Sequence, residues 1–314
     1  MCYFYAINIR CLFKPSRFYI FSVLMTRFLK HTLFIILTLI VTALVIDKVY
    51  TSAFSTSSPR NKVQYISQLK NTHIDYIFLG SSRVENHIDC EVVSRITGKS
   101  CINLGLQGSK TNDSAVFLQM LNNNNVSYKK VLFQLDYAVN FDAYSPQFKS
   151  FITPYLNTES VSDNIIIDLN NPFIYRLPFV RYAANDKLSG FREVVLQLFD
   201  KPSRIDLTNG FEGKQGTGRD IKGNLPATAK ASNRGVLWMK KLENNNLIFY
   251  TAPYCSQARN RDIFNKDLIA KYPEVISYID VFDNKPQYYS DCGHLNITGA
   301  REFTAILTED LLID

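Results

Sequence analysis

Apolar residues are distributed very unevenly along the chain. From Thr32 to Ile46 the sequence reads TLFIILTLIVTALVI, uncharged and apolar on every face, the pattern of a helix surrounded by lipid rather than one laid on a core. A spanning helix needs about 20 apolar residues. Phe28, Leu29, Val49 and Tyr50 extend the run, and Lys30 and Lys48 can snorkel to either surface, so a transmembrane anchor is predicted over 32–50. The polar, Ser/Thr-rich stretch 51–62 reads as a linker. The body, 63–314, is built differently: short apolar runs at 75–80 (DYIFLG), 100–104 (SCINL), 130–135 (KVLFQL) and 247–251 (LIFYT) read as buried strands. Between them, Ile88, Val92, Val93 and Ile96 recur at helical spacing over 84–97 with Gly98 as the stop, and 111–122 forms a second helical stretch. Strands alternating with helices predict a mostly parallel sheet covered by helices. The stretch at about 141–235 is irregular, with Pro146, Pro154, Pro172, Pro178, Pro202 and a glycine-rich run, NGFEGKQGTGRDIKGN. It reads as an insertion over the sheet edge, with one helical piece at 186–199, and helix returns at 232–243. A last helix starts at Thr298, with Phe303, Ile306, Leu307 and Leu311 on one face.

Charge sharpens the first of these elements. The chain has 314 residues and a formal charge of +7, but Arg10, Lys14, Arg17, Arg27 and Lys30 stand in the first 31 residues with no acid among them. The body is close to neutral, so the basic balance does not mark a nucleic-acid binder. A basic flank before an apolar run places that flank in the cytoplasm and the body outside. The expectation is a single-pass inner-membrane protein with a periplasmic or otherwise extracytoplasmic C-terminal domain. A cleaved secretory signal ending near Thr51-Ser52-Ala53 is the alternative. Met25 opens a complete basic and apolar leader of its own, which makes it an alternative start. Four of the six cysteines (Cys90, Cys101, Cys255, Cys292) lie in the body. In an oxidising compartment they allow disulfides, with Cys90–Cys101 and Cys255–Cys292 the preferred pairing and four buried free thiols the alternative. Their spacing matches no zinc pattern, and no metal or cofactor is expected.

Three segments carry chemistry. The first strand ends in Gly80-Ser81-Ser82-Arg83, a strand-to-helix turn at the carboxyl end of the sheet, where ligands bind in open α/β folds. Taken alone, it is equally a helix N-cap. The second strand ends in Asn103-Leu104-Gly105-Leu106-Gln107-Gly108-Ser109. A dinucleotide fingerprint would sit on the first strand, with an acid about 20 residues on, so that reading is set aside. Near the C-terminus stands Asp291-Cys292-Gly293-His294-Leu295-Asn296. A carboxylate three residues before a histidine can hold one ring nitrogen and turn the other toward a serine hydroxyl.

Taken together, strand-GSS, NLGLQG on the next strand and DxxHLN before the last helix resemble blocks I, II and V of the SGNH (GDSL-like) hydrolase superfamily. The likeness extends over about 75–310 and is nearest to membrane-anchored members that modify bacterial envelope glycans. It implies a flavodoxin-like, three-layer α/β/α sandwich behind the transmembrane helix. It implies Ser82 as nucleophile, with Ser81 in place of the family's Asp, and Asp291 and His294 as its partners. It implies an oxyanion hole from the Ser82 N–H and Gly108, with Gly105 as second choice. Block III departs: where the family has G-x-N-D, this chain has Leu135-Asp136-Tyr137-Ala138-Val139-Asn140, and the third donor would be a displaced Asn140 or a backbone N–H in its place. The expected function is a serine esterase or acyltransferase acting on acylated envelope polysaccharide, with polysaccharide-biosynthesis proteins as possible partners. The alternative is a non-catalytic, membrane-tethered glycan-binding or assembly protein on a degenerate SGNH scaffold.

Overall fold

The computed structural model describes residues 15–156, 158, 161, 172–218, 221–243 and 245–313. The chain divides into two units, Met1–Lys48 and Val49–Asp314. The described residues of the first, from Pro15 on, are helical. Helix α1 spans Pro15–Thr56, and its portion from Phe21 is long and apolar enough to cross a membrane, with its most apolar window fully exposed. The hydroxyls of Thr26 and Thr38 bond back to the carbonyls of Ser22 and Phe34 four residues earlier, which spares an apolar surround two bare donors.

The second unit is α/β. Strands β1 (Tyr76–Leu79), β2 (Cys101–Asn103), β3 (Lys130–Gln134), β5 (Leu247–Thr251) and β7 (Val275–Ser277) form one sheet in the order β2-β1-β3-β5-β7. Every pairing in it is parallel. Pairs β4 (Gly223–Asn224) with β6 (Ala258–Arg259), and β8 (Tyr289–Asp291) with β9 (His294–Leu295), lie outside it. Parallel strands are buried on both faces, and successive side chains here enter different cores. Ile77, Leu79, Val131, Phe133 and Phe249 join a cluster with Ala115, Leu118 and Val236. Tyr76, Phe78, Leu132 and Tyr250 join another with Val93, Phe303 and Leu307.

Helix boundaries depart from the periodicity at informative places. The stretch 84–97 is two helices, α3 (Ser82–His87) and α4 (Cys90–Thr97), because the Asp89 carboxylate caps a new N-terminus by accepting from Glu91 N. Gly98 stops α4 with φ +67°. The piece at 186–199 is likewise broken, at Gly190, into Asp186–Ser189 and Phe191–Leu198. Thr111–Asn123 (α5), Arg234–Leu242 and Ile297–Leu311 fall close to expectation, the last two capped by Asn233 and Asn296. The linker reading of 51–62 does not match the structure. Helix α1 continues to Thr56, and α2 (Lys62–Gln68) begins at Lys62. Ala53 and Phe54 are 3% and 2% exposed in a small core with Tyr182 and Val194. Two apolar residues in a polar stretch left no periodic signal, and their partners lie more than 100 positions away.

Candidate active site

The site begins where β1 gives way to α3. Gly80 adopts φ +155°, and a Cβ there would lie 2.6 Å from Val84 Cγ2 and 3.0 Å from Gln134 Cβ, so this turn has no room for a side chain. Ser81 is the N-cap of α3 and Ser82 its first residue. Ser82 N–H is a first-turn donor without an intrahelical acceptor, and it bonds no described residue. The Ser82 hydroxyl lies 2.8 Å from His294 Nε2. On the other side of the ring, His294 Nδ1 lies 2.9 Å and 3.0 Å from the Asp291 carboxylate oxygens. Asp291 also accepts from Gly293 N at 2.9 Å and has Lys214 Nζ at 3.7 Å. Burial pushes its carboxyl up, but the bond and charge of His294, the Gly293 N–H and Lys214 outweigh burial and bring it down to about 2. The carboxylate therefore stays ionised, fixes Nδ1–H as the donor, and leaves Nε2 to accept the serine proton.

Three structural devices hold the loop that carries Asp291 and His294. Cys255 and Cys292 are disulfide-bonded, with Cα atoms 4.8 Å apart, and Cys255 N donates to Cys292 O. This ties the segment after β5 to the residue following Asp291. Cys90 and Cys101 form the second disulfide, between α4 and β2. The glycine-rich run 209–218 then lies along the loop. A Cβ on Gly218, at φ +67°, would fall 1.6 Å from Pro286 O, and Gln215 O accepts from the Ser290 hydroxyl. Those glycines let one backbone lie against another.

The third device, unforeseen from the sequence, is His87. It is fully buried on α3, and its Nε2 accepts from Leu295 N at 3.0 Å. The helix that presents Ser82 is thereby bonded to the strand that presents His294. The ring meets those of His294 and Phe303 edge-on at 6.2 Å and 6.3 Å. Burial, then the positive potential of His294, Arg83 and Lys214, pushes His87 well below 6.5. The unfolded chain takes up a proton that folded His87 refuses, so this contribution is complete above about pH 6.5 and is lost as pH falls. Asp113, raised to about 6 by burial, acts oppositely and adds stability as pH falls toward 3.8. Comparison with His87→Phe isolates the histidine. Between pH 6.5 and 5.0, urea titrations should show wild type losing more stability than the variant. Equal losses would remove the neutral-His87 assignment.

Around Ser82 the remaining positions depart from what the sequence resemblance implies. The Asp136 carboxylate, at the end of β3, pairs with the buried Arg83 guanidinium and accepts from Gln134 Nε2, the Ser81 hydroxyl and Ala138 N. The guanidinium lies 4.9 Å from the Tyr137 ring and 5.2 Å from that of Tyr254. Asn140 does not reach the site: its amide donates to Thr228 O and accepts from Lys230 N. Its place at the end of a 3-10 turn, Tyr137–Asn140, points it into that loop. Gly105 is also excluded as an oxyanion donor, because its N–H is spent on Asn103 Oδ1. Its glycine identity answers to packing instead, since a Cβ would lie 2.3 Å from Glu85 N. Gly108 is exposed, with φ +65° and open space around its Cα, and no hydrogen bond connects it to Ser82 or His294. Among the described residues no group of three or more His, Cys, Asp or Glu side chains is arranged to hold a metal ion.

No protein-family model matches this chain. No curated protein is significantly similar to it.

Proposed function

We propose that the chain is a serine esterase or acyltransferase of the SGNH type, a three-layer α/β/α domain tethered by α1 and acting outside the cytoplasmic membrane on an acylated envelope polysaccharide. The observation that carries the chemistry is the continuous relay from Asp291 through His294 to Ser82, at 2.9 Å and 2.8 Å. In that reading His294 Nε2 takes the hydroxyl proton as Ser82 Oγ attacks the ester carbonyl. The Ser82 N–H, at the positive end of α3, faces the developing oxyanion. His294 then protonates the departing sugar oxygen, and the acyl-serine passes to water or to a second hydroxyl. The glycan and the location draw on the sequence resemblance and on the basic flank of α1.

The second reading, a glycan-binding or assembly protein without turnover, is favoured by one observation. Asn140 is bonded to Thr228 and Lys230, and losing one oxyanion donor costs about 10²–10³ in rate. Labelling of the full chain in detergent micelles with a fluorophosphonate separates the two. Covalent labelling that disappears in Ser82→Ala is expected, and a folded wild type that stays unlabelled would favour the binding protein.

A further inference from the structure

A cavity of about 390 Å³ opens beside α3, within the range of small-ligand sites. Ser82 and His294 do not line it, but Glu85 does. Glu85 follows Ser82 by three residues on the same helix face, roughly 4.5 Å along the axis. Gln107, also in the lining, donates to Asn86 Oδ1 one position further on. The cavity thus begins one helical turn from the serine.

Its chemistry is specific. Five cations and three carboxylates line it. Arg60 pairs with Glu193 at 2.5 Å, Lys62 with Glu85 at 3.2 Å and Arg204 with Glu212 at 2.8 Å. Arg60 also donates to Lys201 O and Pro202 O, and Lys62 to Gly105 O and Gly210 O. Those three cations are occupied in holding the walls. Lys187 and Arg192 are not: both are exposed, and neither bonds or pairs with any described residue. Two positive charges therefore stand at the cavity without a structural task. The rest of the lining suits a sugar ring. Phe151 and Leu188 give it an apolar wall, Gln107 and Gln147 bring amides able to donate and accept, and the buried Glu85 keeps Oε2 without a partner among the described residues.

We propose that this cavity is the subsite for an anionic sugar residue, a uronate or a sugar phosphate. Its acid group meets Lys187 and Arg192, its carbon face covers Phe151 and Leu188, and its hydroxyls bond the glutamine amides. As a statement about substrate it rests on the esterase reading; as a binding site it does not. It would hold an acidic, ester-bearing glycan with the neighbouring unit at Ser82.

The test is titration calorimetry on the full chain in detergent micelles with trigalacturonate, glucose 6-phosphate and neutral maltotriose. At least one anionic probe should bind ten-fold or more tightly than maltotriose. That affinity should weaken several-fold as salt is raised from 50 to 500 mM, and should fall at least ten-fold in Lys187→Gln/Arg192→Gln, whose positions are exposed and tolerate substitution. Maltotriose binding as well as the acids, neither acid binding, or the double variant binding normally would each overturn the proposal. Fluorophosphonate labelling of the same preparations keeps the two claims apart. Acid-sugar binding by a protein whose Ser82 does not label leaves the subsite standing and removes the esterase.

Discussion

With Ser82 replaced by alanine, hydrolysis of an aryl acetate ester is expected to fall by about 10⁴-fold or more, and the same floor should be reached by His294→Ala and by the double variant. The reason is geometric. The serine hydroxyl has one strong partner, His294 Nε2 at 2.8 Å, and neither group has chemistry to contribute without the other. Both changes should leave folding nearly untouched. Ser82 is the first residue of α3 rather than its cap, and the ring of His294 is partly exposed while His87 binds its loop from beneath. Urea titration alongside the rate measurement checks this. Losses that multiply in the double variant would show that the two residues act on separate steps, and the relay would then be a structural bond only.

The second large effect concerns stability. Asp136→Asn is expected to destabilise the body by about 3–5 kcal/mol, because it strands the Arg83 charge in the interior. The two side chains are 5% and 10% exposed. Asp136 ionises despite burial because Arg83, the Ala138 N–H and the Gln134 amide outweigh the desolvation. Removing the negative charge leaves a guanidinium whose Nε already lacks a partner among the described residues and whose other neighbours are tyrosine rings. Replacing both partners, Arg83→Met with Asp136→Leu, should cost far less than the single change. Chemical denaturation of the two variants beside wild type is the measurement. A cost below 1 kcal/mol for Asp136→Asn would mean that water screens the pair.

Much of this arrangement was legible in the sequence. Short apolar runs located β1, β2 and β3, the first two closing on Gly80 and Gly105, and the sheet is as parallel as the alternation implied. The helix Arg261–Lys271 and strand β7 were not seen. Val275–Ser277 is only three residues long, and the apolar positions of the helix do not gather on one face: Phe264 and Leu268 are buried while Ile263 is exposed. In the site, Ser82, Asp291 and His294, which the resemblance grouped, do meet. Three roles escaped because they depend on contacts between distant segments. His87 looked like an ordinary helix residue, since nothing local announces that Leu295 N will reach it across 208 positions. Arg83 and Asp136 read as one more turn residue and a missing motif, although a buried charge beside Ser82 requires a partner. Asn140 was retained for its chemistry alone, and the 3-10 turn that carries it leads elsewhere.

The bond between Cys255 and Cys292 has a consequence for when the molecule becomes competent. Asp291 and His294 flank Cys292 within four consecutive positions, so the loop that carries them is fastened covalently at its middle. In a chain still surrounded by reducing cytosol that fastening is open. The loop then depends on Leu295 N to His87, Cys255 N to Cys292 O and the glycine-rich run laid along it. Thiol oxidation after export would close the loop around a histidine that tolerates little displacement. On the proposed reading, delivery across the membrane would itself be the maturation step, and a copy kept in a reducing compartment would leave the esters around it alone.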